Sequence, residues 1–120
     1  METYKKCQNQ KHKNGLKAEI DAANFIQKNS HFHKIFHRVR TPYGELDLVL
    51  IDENQNISII EVKSIPELGW TFDRLSSAQL RRLIRCHEWI LVRTSRSAKL
   101  EIVFVKNSTV HRFPVQLGDF

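Results

Sequence analysis

The chain has 120 residues, and its 19 lysines and arginines outnumber 13 aspartates and glutamates to leave a net charge of +6. That length makes one domain with one real core, and the basic balance is what a phosphate-backbone binder carries, although solubility alone would also account for it. Cys7 and Cys86 form no C-x-x-C pair, which excludes a zinc ribbon or disulfide framework and points to a reducing compartment, the cytoplasm; the polar start lacks a signal-peptide apolar stretch, and no run approaches the roughly 18 apolar residues of a membrane span.

Residues 1–13 read as a flexible basic tail and residues 14–120 as a single domain. Asn14 is placed to cap a helix running to about Asn29, with Leu16, Ile20, Ala23 and Ile26 at helical spacing on one stripe. Glu19 falls inside that stripe, where a carboxylate is out of place. Residues 34–40 alternate loosely, as an edge strand does, and "TPYG" (41–44) has the composition of a turn. Residues 45–51 and 57–63 read as strands joined by the polar turn "DENQN" (52–56). Both carry apolar residues at both parities, so the sheet should be covered on its two faces. A loop with Pro66 and Gly69 leads to Ser76 or Ser77, the N-cap of a second helix reaching about Arg93. Leu80, Leu83, Ile84, Ile90 and Leu91 make its buried stripe, and Cys86 is read as a residue of the helix core. Strands at 100–105 and 109–113 close the chain around the turn "KNS". The predicted order is α-β-β-β-α-β-β.

The stretch "GELDLVLIDENQNISIIEVKS" (44–64) puts charges where a core should be. A buried unpaired charge costs several kcal/mol unless a partner or a metal compensates it. Counting outward from the centre of the turn, near residue 54, Asp47 lies seven back and Glu61 seven on. A symmetric hairpin sets them opposite one another, with side chains on the same face and Cβ atoms about 5 Å apart. Two carboxylates at that distance repel unless a divalent cation lies between them. All-oxygen ligands suit Mg2+ or Mn2+, which keeps several waters and uses one or two carboxylates plus substrate phosphate. Lys63, two residues beyond Glu61, would project beside the same site and meet a scissile phosphate or an attacking water. The competing reading is a solvent-exposed Glu61–Lys63 network, which the flanking apolar residues disfavour. Glu45 either supports Asp47 from the same face or is an ordinary acid beside a turn.

A carboxylate on one strand followed by E-V-K on the next resembles the PD-(D/E)xK nuclease core of restriction-endonuclease-like proteins. More narrowly, "GLKAEIDAANFI" (15–26), "GELDLVLID" (44–52), "IIEVKS" (59–64) and "SAQLRRL" (77–83) resemble the YraN-like family of small bacterial proteins, related to Holliday-junction resolvases. The resemblance implies an α/β fold with an α-β-β-β-α-β core, a mixed central sheet flanked by helices, and a short extra C-terminal strand. It also implies divalent-metal phosphodiester chemistry on DNA, including branched or structured DNA. Asp47 and Glu61 then become metal ligands together with the Val62 carbonyl and Glu19, Lys63 becomes the catalytic lysine, and Gln79 the polar residue near the site. A homodimer would suit a substrate with two scissile strands.

Nucleic-acid contacts fall to Arg81, Arg82 and Arg85, which lie off the buried stripe of the second helix, and to Lys11 and Lys13 of the tail. Trp70 is the candidate for stacking on a base, whereas Trp89 reads as a packing residue. His31, His33 and His37 lack the cysteine or acid that would complete a zinc set. Two rival readings stay open: a non-catalytic nucleic-acid-binding module, and a subunit that needs a protein partner to become active.

Overall fold

The computed structural model describes residues 2–29, 32–65 and 76–116, with side chains from residue 15 onward except that of residue 33. Its elements are α1 (Glu2–Asn29), β1 (Phe32–Thr41), β2 (Gly44–Asp52), β3 (Ile57–Ser64), α2 (Ser77–Thr94), β4 (Ala98–Lys106) and β5 (Thr109–Val115). This is the predicted order. The first helix begins at Glu2 rather than after an Asn14 cap, so it runs through the segment read from sequence as a tail.

The five strands form one mixed sheet in the order β1-β2-β3-β4-β5. β3 and β4 are parallel, joined by a crossover that includes α2, and every other pair is antiparallel. Local chemistry sets the turns. Asp52 Oδ1 accepts hydrogen bonds from the amides of Asn54 and Asn56, closing the β2–β3 connection. Asn107 and Ser108 both adopt positive φ in the two-residue β4–β5 turn. Ser76 caps α2 in a reciprocal box with Gln79, and Ser95 ends the helix in the left-handed conformation.

One helix covers each face. On one side Ala18, Ala22, Ala23 and Ile26 of α1 pack on Leu48, Leu50, Ile60, Val62, Val103 and Val105. On the other, Leu83, Cys86 and Ile90 of α2 pack on Leu46, Val49, Ile57, Ile59 and Leu100. The buried stripe of α1 is therefore mostly alanine, which lets the helix lie close to the sheet, and Ile20 is 55% exposed instead of buried. His87, buried on α2, bonds through Nε2 to the Ala98 carbonyl at 2.8 Å.

One irregularity decides the shape of the site. In a pleated strand, residues of equal parity share a face. Ile35 of β1 packs on the α1 side, yet Val39, four residues on, packs on the α2 side. β2 does the same: Leu48 and Leu50 face α1, whereas Leu46 faces α2. The register is constant across this point, with His37 opposite Leu48 and Val39 opposite Leu46. Both strands thus turn over together at the level of Arg38 and Asp47. Arg38 makes the reversal with φ 52, the one positive φ inside a strand among the described non-glycine residues. A non-glycine residue held there costs about 1–3 kcal/mol and persists only where its surroundings over-determine it.

Candidate active site

The predicted hairpin register is observed. β2 and β3 pair from Ile51↔Ile57 to Leu48↔Ile60, so Asp47 and Glu61 occupy the next level. There the ladder stops and the strands part. The expected shared face is not observed: Asp47, at the reversal point, turns between the strands instead of standing beside Glu61 on one face, and its Oδ2 accepts the backbone N–H of Val62 at 2.7 Å. The carboxylate takes the place of a ladder carbonyl, in the fork between β2 and β3. Val62 thus meets Asp47 through its amide.

Glu61 points to the α2 side, beside its register partner Ile102 on β4. It is one of two buried polar residues among those described. Its Oε1 lies 3.5 Å from Arg82 Nη2 and 3.8 Å from Lys63 Nζ, while its buried Oε2 has no hydrogen-bond partner. Burial, reinforced by the charge of Asp47 and opposed by Lys63 and Arg82, pushes the Glu61 carboxyl up to about 7. Asp47 is also raised by burial, against the Val62 amide and the Lys63 and Arg82 charges, which favour its ionised form.

Glu19 approaches from the opposite helix. Its Oε2 sits 3.5 Å from Arg38 Nε, and burial and then the charge of Asp47 raise its pKa. The three acids therefore straddle the sheet, Glu19 on the α1 side, Asp47 in the fork and Glu61 toward α2. Glu45 is more exposed, 3.7 Å from Arg40 Nε through its Oε2, and adds repulsion to both Asp47 and Glu19.

Other predicted site residues land differently. The side-chain oxygen of Gln79 accepts the Ser76 N–H at 3.1 Å, so the structure commits it to capping α2. Arg82, read from sequence as part of an outward basic face, turns inward to Glu61 and also donates to the Glu45 carbonyl at 3.0 Å. Arg81 and Arg85 are exposed. Trp70 and the side chains of Lys11 and Lys13 lie outside the described residues. Arg38 escapes a reading of the sequence, since nothing in "FHRVR" announces a left-handed residue.

Gly44 explains how Arg82 reaches the site. A Cβ on Gly44 would meet Arg82 Nη1 at 2.8 Å and Cδ at 2.9 Å, and Gly44 itself has φ +141. We expect Gly44→Ala to strain the turn and push Arg82 off Glu61, with a loss of about 1–3 kcal/mol in denaturant unfolding. Adding Arg82→Ala should recover the steric part alone, because the backbone strain stays.

Among the described residues, no group of three or more His, Cys, Asp or Glu forms a ready metal cage. The donor set nevertheless fits a hard cation that keeps most of its waters and uses one or two carboxylates. The unpartnered, buried Glu61 Oε2 beside a second carboxylate is the feature such an ion would satisfy.

A helix on each face of a mixed sheet, with acids gathered where two strands diverge, is the restriction-endonuclease-like arrangement. Residues 14–107 match the family model of the nuclease-related domain, NERD. A UPF0102 protein of Rhodopseudomonas palustris (strain BisB5) is 32% identical over 90 residues, covering 75% of this chain and 67% of that protein. A second, from Parvibaculum lavamentivorans (strain DS-1), is 31% identical over 106 residues, covering 88% and 78%. The chain belongs to this nuclease-related class and, within it, to the UPF0102 (YraN-like) family. No described helix is long and apolar enough to cross a membrane.

Proposed function

We infer that the chain is a divalent-metal-dependent hydrolase of phosphodiester bonds in DNA, with branched or otherwise structured DNA as its target. The observation that carries this reading is Glu61, buried with one oxygen unpartnered, one register step from the Ile60↔Leu48 pair and level with Asp47. Asp47, through the oxygen that Val62 leaves free, and Glu61 would hold Mg2+ or Mn2+, with the Val62 carbonyl and Glu19 as further oxygens. When bound, such an ion supplies Lewis-acid activation of water and charge balance for the phosphate.

The chain's own residues do the rest. Lys63, 23% exposed and tethered to Glu61, presents its ammonium to a phosphate oxygen or to the attacking water. Arg82 adds a second cation on the same side, neutralising charge that builds on the phosphate. The Val62 amide fixes the orientation of Asp47, so that carboxylate needs no reorganisation during the reaction. A second reading, a non-catalytic nucleic-acid-binding module, draws on the fact that Lys63 and Arg82 already pair with Glu61.

Isothermal titration of Mn2+ into wild type and into the Asp47→Ala, Glu61→Ala double variant separates the two. Heat that vanishes in the double variant, together with metal-dependent cleavage of a four-way junction or flap, supports the hydrolase. Absence of binding both alone and with duplex DNA present would sink it in favour of the binding module.

A further inference from the structure

The β1–β2 turn does not float free of α2. Thr41 Oγ1 donates to the Gly44 carbonyl at 2.8 Å, accepts the Tyr43 N–H at 3.1 Å and lies 3.2 Å from Cys86 Sγ of α2. The strand reversal at Arg38 presses Val39 and Leu46 onto the same helix. The turn backbone at Tyr43 is thereby held beside α2, and Tyr43 is 47% exposed. A cleft of about 320 Å3 separates it from Arg81, Arg82 and Arg85, and a neighbouring cleft of about 540 Å3 continues past Tyr43 to Trp89 and Val92.

Three arginines facing one exposed aromatic ring offer what a single nucleic-acid strand asks for, cations for phosphates and a flat apolar face for a base. Trp89, the other aromatic in the groove, is not free for that role. Its ring packs against the α2-side core, and Arg93 lies over it at 4.6 Å. Tyr43 remains. Arg82 belongs both to this cleft and to the carboxylate site, because it lines the cleft and its guanidinium reaches Glu61.

We propose that the cleft between Tyr43 and the Arg81–Arg85 face of α2 is a subsite for an unpaired stretch of DNA next to the scissile phosphate. Tyr43 stacks on one base and Arg81 and Arg85 hold phosphates. Arg82 links the subsite to Glu61. A base inside a duplex has both faces stacked already, so the subsite selects DNA that is single-stranded or opened at a branch, and it rests on the nuclease reading above.

The test needs neither metal nor turnover. A single-stranded oligodeoxynucleotide carrying 2-aminopurine is titrated in EDTA against wild type, Tyr43→Ala, Tyr43→Phe and the Arg81→Ala, Arg85→Ala double variant. Wild type should quench the fluorophore; Tyr43→Ala should abolish the quench and weaken binding roughly tenfold or more, and Tyr43→Phe should restore both. The double arginine variant should flatten the dependence of log K on log salt by about 1.4, at roughly 0.7 for each phosphate of a single strand that is no longer neutralised. A blunt duplex of the same sequence should bind Tyr43→Ala as it binds wild type.

The proposal is overturned if wild type neither binds nor quenches, if Tyr43→Ala behaves as wild type, or if Tyr43→Ala weakens the duplex equally. Tighter binding of the matching RNA overturns the assignment to DNA. Asp47→Asn, run beside them, keeps the two claims apart. Stacking without cleavage by wild type would remove the nuclease reading and leave the subsite, and cleavage indifferent to Tyr43 would do the reverse.

Discussion

Glu61→Gln should make the metal-free protein more stable at pH 8 and, in the same step, deprive it of stabilisation by Mn2+. The folded protein holds the Glu61 carboxyl up to about 7, against an ordinary value of 4.5. A group raised in the folded state contributes stability that is complete below the lower value and lost as pH rises through the higher one. Wild type without metal should therefore weaken between about pH 4.5 and pH 7, by about 3 kcal/mol at about 1.4 kcal/mol per pH unit. The glutamine carries no charge and escapes that loss, which is already net of the favourable Lys63 and Arg82 charges, so a gain of about 3 kcal/mol is expected at pH 8. At pH 4.5 the two proteins should melt together. Mn2+ should raise the melting temperature of wild type above pH 7 and leave Glu61→Gln unmoved. A glutamine variant less stable than wild type at pH 8 would mean that Glu61 serves the fold through its ion pairs.

Asp47 has one observed job and one proposed, and two substitutions divide them. Its carboxylate charge belongs to the proposed metal site, while its Oδ2 is the acceptor for the Val62 amide in the strand fork. Asp47→Asn keeps an oxygen that can accept that hydrogen bond and removes the charge. Cleavage should fall at least about a hundredfold while the unfolding midpoint stays or rises. Asp47→Ala removes both functions. Activity should fall as far, and stability should drop by a further about 1–3 kcal/mol, the cost of stranding a buried amide. Parallel denaturation and cleavage assays read the difference. Equal stability of the two variants would show that the Val62 amide finds another acceptor, and full activity in Asp47→Asn would remove Asp47 from the metal site.

Much of this architecture is legible in the residues. The register of β2 on β3 follows from the symmetry of the "DENQN" turn, and the two-parity apolar pattern announces a helix on each face. S-x-x-Q at Ser76–Gln79 is readable as a helix start, although its reciprocal hydrogen bonds draw Gln79 into the cap. What cannot be read depends on contacts between distant segments. Ile20 fits an apolar stripe by spacing, but α1 packs through Ala18 and Ala22 because small side chains permit a closer approach to the sheet. Arg82 looks like its neighbours Arg81 and Arg85 until Gly44, nearly forty residues away, leaves room for it to turn inward. The in-plane placement of Asp47 needs a left-handed Arg38, and arginine is not a residue whose presence predicts that conformation.

The reversal at Arg38 and Asp47 also bears on how the molecule holds together. A strand pair with regular alternation would offer one edge to each helix along its whole length, and each layer could loosen by itself. Here the same two-stranded ribbon turns over, so that Leu48 and Leu50 at its base face α1 while Leu46 and Val39 at its tip join Val49 in facing α2, like a stitch passed through cloth. Peeling either helix away tugs on residues that anchor the other. The acids sit at the point where the stitch crosses, so their spacing is kept by both halves of the fold at once.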